Sequence, residues 1–299
     1  MTQTTASLQH KIKSAQDLQS VVSAMKAIAT ISIGQYQDSV KAQNDCYEAV
    51  RLGLMTCLRQ TDPALRNDSP AVAHGAVAAV VFGSDQGLVG QFNEALADYV
   101  KQQLADLPGA KLVWAVGERM QARLLENAQE LQGSFALPNA ISAVTPLVTA
   151  ILSMLQTKYD AGQVSEVYLY HNRPTDNGIF EQTVLRLLPL DERWRDNILS
   201  QPWPGTRLPE VLGDVGSTLL EFVHEYLFVA LYRACTESLA SENASRLAAM
   251  HRAEKNIGEL LDDMHQQFHQ LRQSGIDEEL FDQVTGAEAL KEDQAGEPA

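Results

Sequence analysis

One stretch of the chain has the residue types and the setting of a nucleotide-binding loop. The segment GSDQGLVGQF, Gly83–Phe92, is rich in glycine, follows an apolar run and precedes a helical pattern. Such loops cradle phosphates with backbone N–H groups, so the glycine spacing decides the interpretation. The segment matches neither GxGxxG nor the P-loop, and it lacks the Lys-Ser/Thr pair of the latter. We therefore interpret it as a structural or partner-contact loop, in which Ser84 or Asp85 caps the turn that follows.

A pair of histidines near the C-terminus has the spacing of metal ligands. His265 and His269 stand four residues apart, which places both on one face of a helix. The HExxH signature is absent from the sequence, and an exposed pair without a metal is the commoner outcome. We predict no metal site, no catalytic residue and no cofactor for this chain.

The same region carries side chains suited to holding a partner. Arg272 and Gln273 are multi-donor groups that follow an apolar seam, and the acidic run Asp277 to Glu279 comes shortly afterwards. A solvated charge run is the alternative interpretation of these acids. Gly275 lies between the two groups, although glycine costs about 1 kcal/mol against alanine in a helix interior. The combination favours a contact surface.

Long helices at the two ends of the chain are predicted to carry these groups. Residues 1–62 have apolar or small side chains at steps of three and four, the pattern of a helix that packs on another helix. Residues 206–290 repeat the pattern, most clearly from Ile257 to Leu271. Two such helices predict an antiparallel coiled coil, and the polar end at residues 291–299 predicts a disordered acidic tail.

The middle zone, residues 71–204, changes to strand-like periodicity. Apolar runs begin at Ala76, Lys111, Ser165 and Phe180. Helical patterns separate the first three runs, at Gln91–Leu104, Glu118–Leu131 and Ile141–Tyr159. Strands that alternate with helices indicate βαβ units and a mainly parallel sheet. The predicted fold class is α/β: a long antiparallel coiled coil of N- and C-terminal helices with an inserted Rossmann-like parallel-sheet domain.

Charge and cysteine usage exclude several classes of protein. The formal net charge is -15, so the chain lacks the basic field that binds nucleic acid. Its three cysteines show no CxxC spacing, which fits a reducing compartment without a disulfide framework. No apolar run reaches the roughly 18 residues of a transmembrane helix, so we predict no membrane span.

Three segments resemble the γ subunit of the F1 part of F-type ATP synthase, and the resemblance covers essentially the whole chain. They are LQHKIKSAQDLQSVVSAMKAIA near the N-terminus, GSDQGLVGQFN in the middle, and Glu242–Leu290, which resembles the family's long C-terminal signature. The resemblance implies a rotor shaft that couples ion flow through the membrane sector to ATP synthesis or hydrolysis. The catalytic sites would lie on the β subunits of an α3β3 hexamer.

The resemblance also implies partners and a location. The α/β domain and the base of the helices would meet the ε subunit and the c-ring of the membrane sector. The chain would be a peripheral protein on the cytoplasmic side of the bacterial inner membrane, without a bound small molecule of its own.

Individual contact residues follow from the same resemblance. Arg272, Gln273 and Glu279 match family positions that hydrogen-bond a loop of the β subunit, whereas Asp277 stands where the family usually has Thr. Met25 matches a methionine near the β lever. Ser84 and Asp85 match the middle motif, which lies near the flank of the coil. All seven residues are predicted partner contacts.

The chain also departs from the family pattern. The stretch Thr30–Val40 contains no Lys or Arg where the family has a basic segment, and Gln86 replaces the usual Arg of the middle motif. These departures imply an altered partner and a divergent branch, such as the alternate, Na+-pumping F-type ATPases of some bacteria. Two alternatives to the γ interpretation are a stand-alone nucleotide-binding protein and an unrelated coiled-coil scaffold.

Overall fold

The computed structural model describes residues 4–61, 75–127, 129–175, 179–207 and 209–295. The helices in these ranges are α1 (Thr5–Gln60), α2 (Phe92–Ala105), α3 (Glu118–Glu126), α4 (Val144–Asp160), α5 (Glu192–Ser200) and α6 (Val215–Ala295). The strands are β1 (Ala76–Phe82), β2 (Lys111–Val116), β3 (Leu131–Phe135), β4 (Val164–Arg173) and β5 (Glu181–Leu188). A short 3-10 turn, Ile141–Ala143, precedes α4.

The chain divides into two compact units. The first consists of Met1–Ala27 with Met250–Ala299, and the second of Ile28–Ala249. The long helices α1 and α6 each contribute residues to both units.

In the first unit α1 and α6 form an antiparallel pair. Ile12 shares a groove with Phe268, whereas Lys26, further along α1, forms an ion pair with Glu254, earlier in α6. The seam between the helices is apolar, as their three-four spacing predicts. Its buried residues are Leu8, Ile12, Ala15, Leu261 and Met264. The predicted antiparallel coiled coil is therefore confirmed.

The packing of this unit ends before the described part of α6 does. Leu271 still packs against the apolar seam, but every side chain from Arg272 to Thr285 is exposed. The backbone stays helical to Ala295, five residues beyond the predicted end of the C-terminal helix, and residues 296–299 of the predicted tail lie outside the described residues.

The second unit contains a five-stranded sheet in the order β3-β2-β1-β4-β5. The first three strand pairs are parallel and β4 pairs antiparallel with β5, which confirms the predicted mainly parallel sheet. The connection from β4 to β5 is too short for the crossover helix that a parallel pair requires, so the chain turns back along the edge.

Helices cover both faces of the sheet. Because successive side chains of a strand point to opposite faces, β1 packs against helices on both sides. Along β1, Val77, Ala79 and Val81 pack in one buried cluster with residues of α2 and α3. The alternate residues Ala78, Val80 and Phe82 pack in another cluster with residues of α4 and α6. The central strand is consequently buried on both sides, as its continuous apolar run predicts.

Two elements differ from the sequence prediction. The helix predicted over Glu118–Leu131 ends at Glu126, and the edge strand β3 follows it. The residues of β3, LQGSF, alternate between half-buried and exposed and carry few large apolar groups, so their periodicity is weak. The second difference is helix α5, which was not predicted from the sequence.

Helix α4 resembles a membrane span in length and composition. Among the described residues, Ile141–Asp160 is the one candidate, with a mean hydropathy of 1.2. One face of α4 is buried in the cluster that covers the sheet, including Val148, Ile151 and Leu155. That packing is typical of a core helix in a globular domain.

Candidate functional site

The loop between β1 and α2 is held by its own polar residues. The Ser84 N–H donates to Asn93 Oδ1 at 3.0 Å, and Asn93 Nδ2 donates to Ser84 Oγ at 2.8 Å. Ser84 Oγ in turn donates to the Gln86 carbonyl at 2.9 Å. Ser84 is fully buried, so it presents no surface to a partner. Its bonds fix the loop within this chain, and its assignment as a partner contact stays a prediction.

The Asp85 side chain links the segments that follow β1, β2 and β3, and it does not cap the turn after it. Its Oδ1 accepts from the Glu118 N–H at 2.9 Å, at the start of α3, and its Oδ2 accepts from the Leu137 N–H at 3.2 Å, beyond β3. The surface of the loop is formed instead by Gln86 and by Leu88, which is 61% exposed. Gly90 and Gln91 of the same motif are also exposed, so a partner can reach these four residues.

Gly117 lets the loop after β2 approach this segment closely. Its φ is +104°, and a Cβ built there would lie 2.7 Å from the carbonyl carbon and oxygen of Ser84. Gly162 also has a positive φ, +67°, but a Cβ there would meet nothing within 4 Å.

Replacing these two glycines separates backbone strain from steric overlap. We expect Gly117→Ala to lower the free energy of unfolding by about 3 kcal/mol, because strain and overpacking add. Gly162→Ala should cost only about 1 kcal/mol, from strain alone. Urea denaturation followed by tryptophan fluorescence measures both; equal losses would show that the contact with Ser84 is unimportant.

The crevice in which α/β sheets commonly bind ligands is filled by the chain itself. The strand order reverses between β1 and β4, and ligands bind at such switch points beyond the carboxyl ends of the strands. Here Ser238 Oγ of α6 donates to the Phe82 carbonyl and Ser241 Oγ to the Asn172 carbonyl, both at 3.1 Å. A helix stands where a nucleotide would lie, which argues against the nucleotide-binding alternative.

A buried acid fastens α6 to β4 beside these serines. Glu237 Oε2 lies 2.9 Å from His171 Nε2, and Glu237 Oε1 accepts from Arg233 Nε at 2.8 Å. Burial by itself would raise the pKa of Glu237, but the hydrogen bonds and charges of His171 and Arg233 outweigh it and hold that pKa below its usual value. The carboxylate is therefore the stable form at neutral pH.

Glu242, a second buried acid about one turn further along α6, has a raised pKa where that of Glu237 is lowered. Glu242 Oε1 accepts from Arg246 Nη2 at 2.5 Å, while its Oε2 is buried with no hydrogen-bond partner among the described residues. Burial raises the pKa of Glu242 in spite of Arg246. Sequence reasoning missed both acids, although the polar run TESLASENAS inside an apolar helix was a visible signal.

The exposed end of α6 presents the four predicted contact residues on one half of the helix. At about 100° per residue, Arg272, Gln273, Asp277 and Glu279 share one side of the helix with exposed apolar side chains, of which Phe281 lies at its edge. These apolar residues are Ile276, Leu280, Phe281 and Val284, each between 48% and 72% exposed. The opposite half carries Ser274, Gly275, Glu278 and Asp282. One face can therefore both pack and hydrogen-bond, while the other is small or acidic.

The remaining candidates lie elsewhere. Met25 is half-buried on α1 and belongs to the first unit, as do the four residues of α6, whereas Ser84 and Asp85 belong to the second. His265 and His269 are both exposed. Within the described ranges, metal-ligating side chains form no group of three or more.

The fold and these surfaces define a class of protein: a pair of long terminal helices with an α/β domain inserted between them in the sequence, one helix ending in an uncovered, partly apolar surface. A family model described as ATP synthase matches residues 4–290, and the chain belongs to the ATP synthase gamma family. The gamma chain of Salinibacter ruber is 29% identical over 309 residues, covering 95% of this chain and 97% of that one. The gamma chain of Desulforudis audaxviator is 28% identical over 294 residues, covering 94% and 97%.

Solved structures share the fold. The rotor of the Euglena gracilis mitochondrial ATP synthase superposes with a TM-score of 0.63 at 13% identity, covering 91% of this chain and 98% of that one. A chain from the central stalk and c-ring of the Tetrahymena thermophila enzyme gives a TM-score of 0.54 at 23% identity, covering 78% and 99%.

Proposed function

We propose that this gamma-family chain is the central rotor shaft of an F-type ATP synthase or ATPase. It couples ion flow through the membrane sector to ATP synthesis or hydrolysis on an α3β3 hexamer. The observation that carries the proposal is the end of α6 from Arg272 to Thr285, where every side chain is exposed and one half of the helix is apolar and rich in hydrogen-bonding groups. Such a surface is typical of a binding site whose partner is a separate chain.

The chemistry in this proposal belongs to the partners. The β subunits hold the catalytic sites, and the gamma chain acts through the different contacts that it makes with each β conformation. The c-ring and the ε subunit meet the α/β domain and the base of the helices. The complex is attached to the cytoplasmic side of a bacterial inner membrane. The gamma-chain relatives and the central-stalk fold support these assignments.

Five of the seven predicted contacts fit this role directly. Arg272, Gln273 and Glu279 hydrogen-bond a loop of a β subunit, with Asp277 beside them, and Met25 packs near the β lever. In the middle motif the exposed side chains of Gln86 and Leu88 contact the partner beside the buried Ser84 and the internally bonded Asp85.

We also propose that the complex is a divergent, Na+-coupled form. The supporting observation is the stretch of α1 from Thr30 to Val40, which contains Asp38 but no Lys or Arg where the family is basic, and which exposes 63% of Ile31. Na+-dependent ATPase activity of the assembled complex is the expected result. Strict H+ coupling would contradict the sodium assignment and leave the rotor assignment intact.

Co-purification decides between the rotor and its alternatives. We expect the tagged chain to recover α and β subunits in a complex that hydrolyses ATP, and the isolated chain not to titrate with ATP or NAD. Stoichiometric binding of either nucleotide to the isolated chain would favour a nucleotide-binding protein. A homodimer without ATPase subunits would favour a scaffold.

Gly275 offers a separate test of the exposed end of α6. A Cβ added at Gly275 or at Gly258 meets nothing within 4 Å, so both Gly→Ala changes should stabilise the helix of the isolated chain by about 0.5–1 kcal/mol. In the complex, Gly275→Ala should reduce ATPase turnover about fivefold, since about 1 kcal/mol of overpacking arises where a partner passes closely. Gly258→Ala is the matched control. Equal turnover in both variants would show that no partner passes close to Gly275.

A further inference from the structure

The contact between α6 and the carboxyl edge of the sheet is polar where most helix–sheet contacts are apolar. In the run from Thr236 to Ser245, seven polar or charged side chains are buried, and the fully buried ones include Thr236 and Ser241. Leu231, in the turns before this run, and Leu239, within it, are buried among apolar groups in the usual way. Apolar packing alone would have sufficed for stability, because burying polar groups costs free energy unless each is hydrogen-bonded.

Three of these polar side chains, Ser238, Ser241 and Ser245, form a narrow stripe that reaches separate parts of the domain. Ser238 donates to the last residue of β1, Phe82, and Ser241 donates to Asn172 near the end of β4. Ser245, one turn further on, donates to the carbonyl of Val89 in the loop after β1. Because the steps are three and four residues, the three hydroxyls lie on one face over two turns.

Directional bonds to separate points fix the rotation of a helix about its own axis. Apolar contacts are non-directional, so a helix held only by them slides or turns at little cost. A hydrogen bond weakens steeply once its angle departs from linearity. Turning α6 against the sheet would break all three serine bonds at once and would also separate Glu237 from His171.

We propose that Ser238, Ser241 and Ser245 are the torque-bearing joint between the α/β domain and α6. The inference rests on the proposed rotor function, in which the domain meets the c-ring and α6 meets the hexamer. The serines are positioning residues: they touch no nucleotide, and they act by keeping α6 in a fixed orientation on the domain under load. Their small size also lets the helix lie close enough to the strand ends for hydroxyl-to-carbonyl bonds.

The test compares loaded and unloaded operation of the assembled complex. The double variant Ser238→Ala/Ser241→Ala removes two hydroxyls without adding volume. With no opposing ion gradient, we expect ATP hydrolysis to stay within about twofold of the wild-type rate, because catalysis lies on other subunits. The number of ions pumped per ATP into sealed vesicles should fall by at least about fivefold, since two directional bonds are lost.

Thr236→Val is the matched control. Thr236 is fully buried in the same stretch, but its Oγ1 donates only within α6, to the carbonyls of Tyr232 and Arg233. It should pump like the wild type. Normal pumping by the double variant would show that the serines do not bear torque. It would leave the rotor function untouched, because ATP-driven pumping by the wild-type complex tests that function separately.

Single variants keep the proposal testable if the double variant does not fold. Ser238→Ala and Ser241→Ala are then measured in the same way. A parallel loss of hydrolysis and pumping would overturn the proposal, because a merely structural role reduces both together. Failure of the wild-type chain to support ATP-driven pumping would instead reject the proposed function.

Discussion

Replacing Arg272 with Ala is expected to reduce ATP turnover of the assembled complex at least about tenfold, while leaving the isolated chain folded. Hydrogen bonds to a charged group contribute about 1.5–3 kcal/mol, and each 1.4 kcal/mol is a factor of ten. Arg272 is exposed and makes no hydrogen bond or ion pair with another described residue. The free energy of unfolding of the isolated chain should therefore change by less than about 0.5 kcal/mol.

Arg252 supplies the control for this change. It is an exposed arginine on the same helix and likewise makes no bond to another described residue. Arg252→Ala should leave both turnover and stability near the wild-type values. Steady-state hydrolysis by purified complexes, together with thermal unfolding of the isolated chains, gives the comparison. Unchanged assembly and turnover in Arg272→Ala would show that Arg272 does not contribute to the proposed contact with the β subunit.

The second large effect concerns the stability of the α/β domain. Glu237→Ala should lower its free energy of unfolding by about 3 kcal/mol, because it leaves the buried His171 and the half-exposed Arg233 without their acceptor. Fluorescence of Trp114, which is buried in the sheet, reports the unfolding of this part of the chain. Glu259→Ala is the control, since its ion pair with Lys255 is exposed on both sides and should contribute less than about 0.5 kcal/mol.

The same carboxylate gives stability a defined pH dependence. Because the pKa of Glu237 is lower in the folded chain than in the unfolded one, its contribution is complete above the unfolded pKa of about 4.3 and is lost as the pH falls through the folded pKa. The raised pKa of Glu242 acts in the opposite direction. The difference between the wild type and Glu237→Gln isolates the first effect. A difference that stays constant between pH 6 and pH 3, a range of about three units around these values, would contradict the assignment.

The large elements of the fold could be predicted because their periodicities are strong and local. The apolar run of β1 and the three-four spacing of Leu8, Ile12 and Ala15 each specify an element without knowledge of any distant residue. Strand β3 could not be predicted in this way, because its short, partly polar sequence forms a strand only where β2 offers an edge to pair with.

The residues of the candidate site also divide into those that local sequence can predict and those that depend on distant residues. The contact face at Arg272 follows from local sequence, since an exposed helix end needs only its own residues. Bonds that hold Ser84 and Asp85 join them to residues from 9 to 52 positions away, and no local pattern encodes them. The serine stripe of α6 was missed for the same reason: its acceptors lie on β1, on β4 and in the loop after β1, all far earlier in the chain.

Direct observation of rotation is the decisive test of the rotor function, and the cysteines of the chain offer an attachment point for a probe. Cys46 is exposed, whereas Cys57 and Cys235 are buried, so a maleimide probe attaches at Cys46 without mutation. With the α3β3 hexamer fixed to a surface, we expect ATP to drive unidirectional rotation of the probe. A complex that hydrolyses ATP while the probe stays still would contradict the rotor function.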